Sequence, residues 1–439
     1  MSDLQSIQCD VAVIGAGMAG MAAALYAANR GLSTVLLGST SGATTFASGL
    51  LDLLGVYPAE QRNKRLDPWE GIAELAAECP AHPFAMIPRN AIREAFAELL
   101  EFLKLEGLDY CEGSGRNFEI ITAMGTSKPT YIIPFSMQEG ANAFREHRPC
   151  LLIDFHGMKE YSALQIASVL SKRWPALRSK RIEFPAAPMV GELYTTSMAD
   201  ALESPAVRAK IAEAVRRVRK GDEVVGFPAI LGMSGIKTVF VELQDQIGAP
   251  VFEIPTLPPS VPGLRLKEAL TSHLTKIGVK CLPFFFVSEA REAADGGFEL
   301  IAGGEYHQSL VRSRGVILAT GRFLGKGLLA ERQAIREAVF DLPVYQPDGR
   351  KSWHRGHFFS PKGHAVNRSG LVVDESLRPV REDNTPAFQT LFAVGSILAH
   401  QDWARTKSGA GLAIATAYQA VKACCGALGI KTKGVASQP

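Results

Sequence analysis

The chain lacks several features that redox and membrane proteins commonly carry. Its seven cysteines, Cys9, Cys79, Cys111, Cys150, Cys281, Cys424 and Cys425, are scattered, with no C-x-x-C spacing and one adjacent pair. Two neighbouring thiols do not supply four thiolates, so no iron–sulfur cluster, zinc site or disulfide framework is expected, and each thiol is read as buried packing. No window reaches the roughly 20 uninterrupted apolar residues that a membrane span needs. The most apolar stretch, Val224 to Val241, is broken by a proline and Lys237 and reads as a buried strand pair. The opening MSDLQSIQCD has no apolar run behind a basic region, so no signal peptide is expected and the compartment is read as the cytosol. A net charge of +3 over 439 residues is too small to point to nucleic acid. The basic run Arg216 to Lys220 reads as one solvated helical face. Internal repeats and low-complexity tracts are also absent.

The most informative gap lies after the second strand. "DVAVIGAGMAGMAAALYAANRGLSTVLL" reads as strand, glycine turn, helix, strand. Val11 to Ile14 is a continuous apolar run suited to a buried parallel strand. Gly15, Gly17 and Gly20, with Ala16 between the first two, make G-x-G-x-x-G, a turn through which backbone amides approach a phosphate at the helix N-terminus. A carboxylate that would hold an adenosine ribose should close the second strand, but Gly38, Ser39 and Thr40 stand there.

A composition of 47% hydrophobic and 21% charged residues suits a soluble globular protein of two or three domains. Residues 58–149 are polar and partly helical, notably over Asn90 to Glu106. Residues 150–255 show a second alternation of strands and helices and read as an inserted α/β domain. After the proline cluster at Pro255 to Pro262, a helix over Arg265 to Ile277 precedes a polar hairpin-like stretch. The strand Gly315 to Ala319 then runs into Thr320-Gly321. A third strand, Leu391 to Val394, runs into Gly395-Ser396, followed by a loop and an alanine-rich helix that brings Gly411 towards the same nucleotide.

These three strand-to-glycine elements resemble the two-dinucleotide-binding-domain flavoproteins. The resemblance implies an α/β, Rossmann-like FAD/NAD(P)-binding-type flavoprotein domain built from separated segments, residues 1–57 and 256–439, interrupted by a connecting region and the inserted domain. "LATG" at Leu318 to Gly321 matches that pattern, whereas Ser396 stands where a ribityl-binding aspartate is expected. A serine still bonds to a ribityl hydroxyl. The missing ribose acid favours FMN, whose phosphate needs only the turn and helix N-terminus, over FAD, for which Ser39 or Thr40 would serve the ribose.

"TFASGLLDLLG", "PTLPPSVPGLRL" and "LATGRFLGKGLLAERQAIRE" are similar to the B subunit of anaerobic glycerol-3-phosphate dehydrogenase, as is "ESLRP" ahead of "TLFAVGSILA". That resemblance implies an FMN-associated subunit paired with an FAD-bearing A subunit plus a membrane-attached iron–sulfur C subunit. It also implies a cytoplasmic placement, peripheral on the membrane through the partner. The complex would oxidise sn-glycerol 3-phosphate to dihydroxyacetone phosphate and pass electrons to quinone. The alternative is a non-catalytic scaffold that kept the fold and lost the cofactor. An independent FAD oxidase or fumarate-reductase-like enzyme fits less well without the ribose acid.

Oxidising a secondary alcohol needs a base for the hydroxyl proton. His354, His357 and His364 in "KSWHRGHFFSPKGH" are candidates, with His357 chosen for its aromatic and glycine neighbours. Phosphate recognition wants a cation, and Arg322, Arg405 and Lys407 sit beside the glycine turns. Ser48 and Gly49 follow the second strand where related flavoproteins wrap a loop round the flavin, and Ser48 also reads as a helix N-cap. Arg332 and Arg336 read as ion pairs with Glu331 and Glu337 on one helix.

Overall fold

The protein's structure, a computed structural model, describes residues 5–38, 42–185, 192–304 and 307–430. The chain divides into two compact units, one of residues 1–43, 52–102 and 270–439, the other of residues 44–51 and 103–269. The segment 58–149, expected as one connecting region, is therefore shared between them, and the second unit runs on to residue 269.

The first unit is built on a seven-stranded sheet. Its strands are β1 (Gln5–Ile14), β2 (Thr34–Gly38), β3 (Lys280–Pro283), β4 (Phe286–Glu292), β5 (Phe298–Gly303), β6 (Gln308–Leu318) and β7 (Leu391–Ala393). The order is β3-β2-β1-β6-β5-β4, and β7 also pairs with β6. β1, β2, β3, β6 and β7 run parallel, with Ile14 opposite both Leu37 and Leu318. β4, β5 and the start of β6 form an antiparallel meander. β6 shows both regimes: its first seven residues alternate between burial and exposure, and its last four, Gly315 to Leu318, are all buried. A half-covered antiparallel face gives alternation, whereas a parallel strand covered on both sides gives a solid apolar run.

Two helices cover the parallel end. α1 (Met18–Asn29) and α2 (Gly409–Ala427) are buried around most of their circumference, which their alanine-rich sequences permit because small side chains let backbones approach closely. They pack on each other, with Tyr26 meeting Tyr418 edge-on at 5.2 Å. The Arg30 guanidinium lies over the Tyr418 ring and pairs with Glu98 at 3.1 Å. No helix among the described residues is long and apolar enough to cross a membrane.

The second unit carries a four-stranded parallel sheet in the order Val251–Ile254, Val224–Pro228, Cys150–Phe155, Leu177–Ile182. Its core holds a buried ion pair, Arg265 with Glu253 at 2.8 Å, with side-chain exposures of 3% and 0%. Ser136 Oγ and the Leu231 amide also donate to that carboxylate, and Arg265 donates to the Gly232 carbonyl. Both charges are thus bonded to partners, which is what makes a buried charge tolerable.

Two expectations fail. The run Val224 to Val241 is not a strand pair: the strand ends at Pro228 and a helix, Ile236–Ile247, begins after Gly235. Short apolar runs read alike as buried strand and buried helix. The segment holding Arg332 and Arg336 is not a helix either, but a small hairpin, Leu328–Ala330 with Ile335–Glu337. Arg336 does pair with Glu331 at 3.0 Å, and also with Asp341. Glu337 is instead buried and accepts from the amides of Val339 and Phe340, and burial pushes its carboxyl above the ordinary range.

Candidate functional site

Three glycine turns meet at the C-terminal ends of β1, β6 and β7. Gly15, at φ +116, occupies a conformation that a side chain resists. A Cβ there would lie 2.3 Å from the Ala319 carbonyl oxygen, so the first turn rests directly on the A-T-G turn. Gly20 is held as tightly, since its Cβ would fall 1.7 Å from the Gly15 carbonyl oxygen. Gly395 lies against α1, where its Cβ would meet that of Ala19 at 2.7 Å, and Ser396 Oγ approaches Gly321. Ala16 packs against Gly38 at the end of β2.

Neither helix that starts at this junction carries a side-chain cap. α1 begins at Gly17 with no side-chain cap and no acidic residue in its first turn, and α2 begins after Ser408 in the same way. Gly17 differs from its neighbours because a Cβ there would meet nothing nearer than Gly42 at 4.0 Å. Uncapped amides with the positive end of the helix dipole form an anion site. Gly411 donates its amide to the Asp52 carbonyl at 2.6 Å, which fixes the start of α2 to residues 52–53. The Gly395 amide donates to Thr416 Oγ1, which ties the third turn to α2. Thr320 Oγ1 is buried with no partner among the described residues and lies against Gly327, whose Cβ would fall 2.4 Å from it. Tight glycine contacts and helix ends without side-chain caps fit a flavin phosphate and its ribityl chain.

The expected binding residues divide. Gly15, Ala16, Gly17, Gly20, Thr320, Gly321, Gly395, Ser396 and Gly411 belong to this one assembly. Ser39 and Thr40 lie outside the described residues. Ser48 and Gly49 belong to the second unit, where the Gly49 carbonyl accepts from Tyr110 Oη at 2.9 Å. Ser48 follows the short turn Thr44–Phe46 and caps no helix.

The expected chemical residues are placed unequally. Arg322 is largely buried and donates to the Asn367 carbonyl; burial weakens its hold on its proton, and the Asp402 carboxylate opposes that effect. Arg405 donates to the Pro361 carbonyl and faces Glu60 at 3.8 Å, so it fastens the 350–364 loop. Lys407 is the left-handed residue that ends the short helix Trp403–Thr406, and its carbonyl accepts from the Gly55 amide. His364 is engaged at both ring nitrogens: Nδ1 accepts from the Arg355 amide and Nε2 lies 2.9 Å from the Phe358 carbonyl. His354 and His357 are exposed, with Phe358 and Phe359 beside His357 at 80% and 82% exposure.

Sequence reasoning passed over Asp402. It is 6% exposed, Oδ2 accepts from Asn367 Nδ2 at 3.4 Å, and Oδ1 is buried with no partner among the described residues. The signal available was an acid within the loop that follows the Gly395 turn. The thiols are not exposed nucleophiles: burial pushes Cys9 and Cys424 up to about 12.

Comparison with known proteins gives three kinds of result. The FAD binding domain family matches residues 10–412. A probable anaerobic glycerol-3-phosphate dehydrogenase B subunit of Halobacterium salinarum is 32% identical, over 96% of this chain and 99% of its own length. The anaerobic glycerol-3-phosphate dehydrogenase B subunit of Vibrio vulnificus is 29% identical, over 95% and 96%. Among solved structures, a 3-ketosteroid delta1-dehydrogenase from Sterolibacterium denitrificans aligns over 95% of this chain and 99% of its own, at 12% identity and a TM-score of 0.44.

Proposed function

The chain belongs to the FAD binding domain family and to the family of anaerobic glycerol-3-phosphate dehydrogenase B subunits, and from that premise we propose that it acts in oxidising sn-glycerol 3-phosphate to dihydroxyacetone phosphate and passes electrons towards quinone. The observation that carries this reading is the meeting of the Gly15, Gly321 and Gly395 turns beneath the uncapped start of α1. Partner subunits follow from the family's name. The proposed ones are an FAD-bearing A subunit together with a membrane-attached iron–sulfur C subunit, which would also place this chain at the inner face of the membrane.

The proposed cofactor is FMN. The amides of Ala16 to Gly20 would hold its phosphate, with Gly15, whose own amide donates to the Leu37 carbonyl, shaping the turn, and Thr320, Gly321, Gly395 and Ser396 would line the ribityl chain. FAD is the second reading, favoured by the family match, and would require Ser39 or Thr40 to serve its ribose. When bound, the flavin supplies the hydride acceptor. This chain would orient the alcohol, neutralise the phosphate and take the hydroxyl proton. Arg322 suits the phosphate because it is charged and partly desolvated beside the Gly321 turn. His357 is the proposed proton acceptor, its ring exposed where that of His364 is engaged.

Purifying the chain, recording its visible spectrum and identifying released flavin by chromatography and mass test this reading. FMN near one per chain is the expected result, and FAD would transfer the ribose role to Ser39 or Thr40. A folded, colourless chain that still binds its partners would instead establish the non-catalytic scaffold.

A further inference from the structure

Several buried polar atoms of the first unit lack partners among the described residues; Ser313 Oγ and Thr390 Oγ1 lie on or beside the central sheet, while Thr320 Oγ1, Trp353 Nε1, Ser369 Oγ and Asp402 Oδ1 lie in the loops beyond it. These last four lie on segments that are bonded to one another. Trp353 accepts at its carbonyl from the Val366 amide, and Ser369 donates its amide to the Val366 carbonyl. Segment 368–371 then runs along 397–400, with the His400 amide bonded to the Arg368 carbonyl and the Ala399 amide to that of Leu371. Arg322, two residues past Thr320, reaches the Asn367 carbonyl, and Asn367 reaches Asp402. Gln401 folds back to the Ser396 carbonyl at 3.0 Å, tying Asp402 to the third glycine turn.

Asp402 is the outlier in this group. Unmatched hydroxyls are a minor cost, but a carboxylate oxygen removed from water without a donor is a large one. Nothing local explains it. The side chain does not cap the helix that starts at Trp403, although its backbone carbonyl accepts from Thr406. Arg322 lies close enough to feel the carboxylate but gives its hydrogen bond to Asn367 instead.

We infer that Asp402 Oδ1 is the acceptor for a hydroxyl of a polyol phosphate ester, and that Arg322 supplies positive charge beside it. This rests on the reading of the chain as part of a flavin-dependent glycerol-phosphate dehydrogenase. Two sources share that chemistry, the ribityl chain of a flavin and a glycerol phosphate. The aspartate expected at position 396 is a serine, and Asp402, six residues later, returns a carboxylate to the same loop.

The test uses the full chain stripped of flavin and two variants, Asp402→Leu and Asp402→Asn. FMN and FAD are titrated by quenching of flavin fluorescence. sn-Glycerol 3-phosphate is then titrated into the flavin-loaded protein by its effect on the visible spectrum. A charged acceptor bonded to a hydroxyl predicts a roughly 10- to 100-fold rise in Kd for Asp402→Leu, and a smaller rise for Asp402→Asn, which keeps shape and loses charge. A rise confined to flavin identifies the ribityl chain, and one confined to sn-glycerol 3-phosphate identifies the substrate. Ligand-free Asp402→Asn, which keeps an acceptor for Asn367 and removes the charge, should melt within a few degrees of wild type.

Unchanged Kd values for both ligands in both variants would overturn the inference. So would a melting temperature for ligand-free Asp402→Asn as far below wild type as that of Asp402→Leu, which would mean that the chain itself satisfies Oδ1. A wild-type chain that binds no flavin would refute the proposed function alone. The inference would then be decided by whether sn-glycerol 3-phosphate raises the melting temperature of wild type more than that of the variants.

Discussion

Gly17→Ala separates what the first turn does for the protein from what it does for a ligand. The added methyl meets only Gly42, at 4.0 Å, an ordinary contact. Gly17 has φ −80 and ψ −176, which alanine adopts without strain. The folded chain therefore loses only the better N-cap residue, about 0.5–1.5 kcal/mol, or a few degrees in Tm. A phosphate seated on these amides would meet the methyl directly. Losing one charge-assisted amide contact costs about 1.5–3 kcal/mol, which weakens flavin binding roughly 10- to 150-fold. The control is Gly20→Ala, whose methyl would fall 1.7 Å from the Gly15 carbonyl oxygen and should prevent the first unit from folding. Flavin titration gives Kd and urea unfolding gives stability. Gly17→Ala with wild-type flavin affinity would place the phosphate elsewhere. A stability loss above about 3 kcal/mol would refute the steric reading.

Three further perturbations probe other parts of the chain. Glu253→Ala leaves Arg265 buried without its carboxylate and should cost about 3–5 kcal/mol in urea unfolding; a loss under about 1 kcal/mol would mean that water reaches the guanidinium. Burial lowers His82 from its ordinary 6.5 to about 3, so the unfolded chain takes up a proton that the folded chain refuses. Its stabilising contribution is complete above about pH 6.5 and is lost as pH falls towards 3, so wild type should lose about 1.4 kcal/mol more than His82→Asn between pH 7.5 and 5.5. Parallel pH profiles for the two proteins would contradict that burial. His357→Asn in the assembled enzyme should lower kcat roughly 100-fold while flavin content stays at the wild-type level, and an unchanged kcat would remove His357 from the mechanism.

The parts of the fold that local sequence dictates were legible in advance. A solid apolar run, a glycine at φ +116 and an alanine-rich helix define the β1–α1 unit within its first turn of chain, and the turns at Gly321 and Gly395 follow similar strands. Arg336 shows where such reasoning misleads. Arg332 and Arg336 stand four positions apart, as neighbours on one helical face do, yet Arg336 pairs with Glu331, five residues back, in a hairpin whose register brings Ala330 opposite Ile335. The candidate chemistry was less legible because it depends on contacts between distant segments. His364 and His357 differ by seven positions and look equivalent in sequence, but one ring is bonded at both nitrogens and the other is exposed. Asp402 reads as an ordinary loop acid until Asn367 and Arg322 are brought beside it.

The junction of glycine turns also sets a timetable for making the protein. Gly15 and Gly395 are 380 residues apart, yet both must be in place before the pocket exists. At about 5–20 residues per second, a ribosome emits the first turn some 20 to 75 s before the last. The second unit, nearly all within residues 103–269, is complete well before that. β1 meanwhile waits for β6, its neighbour in the finished sheet, with an apolar edge open to pairing. Cofactor loading on this chain is thus a late event, and shortening it ahead of α2 would leave a folded second unit joined to a first that has no flavin to steady it.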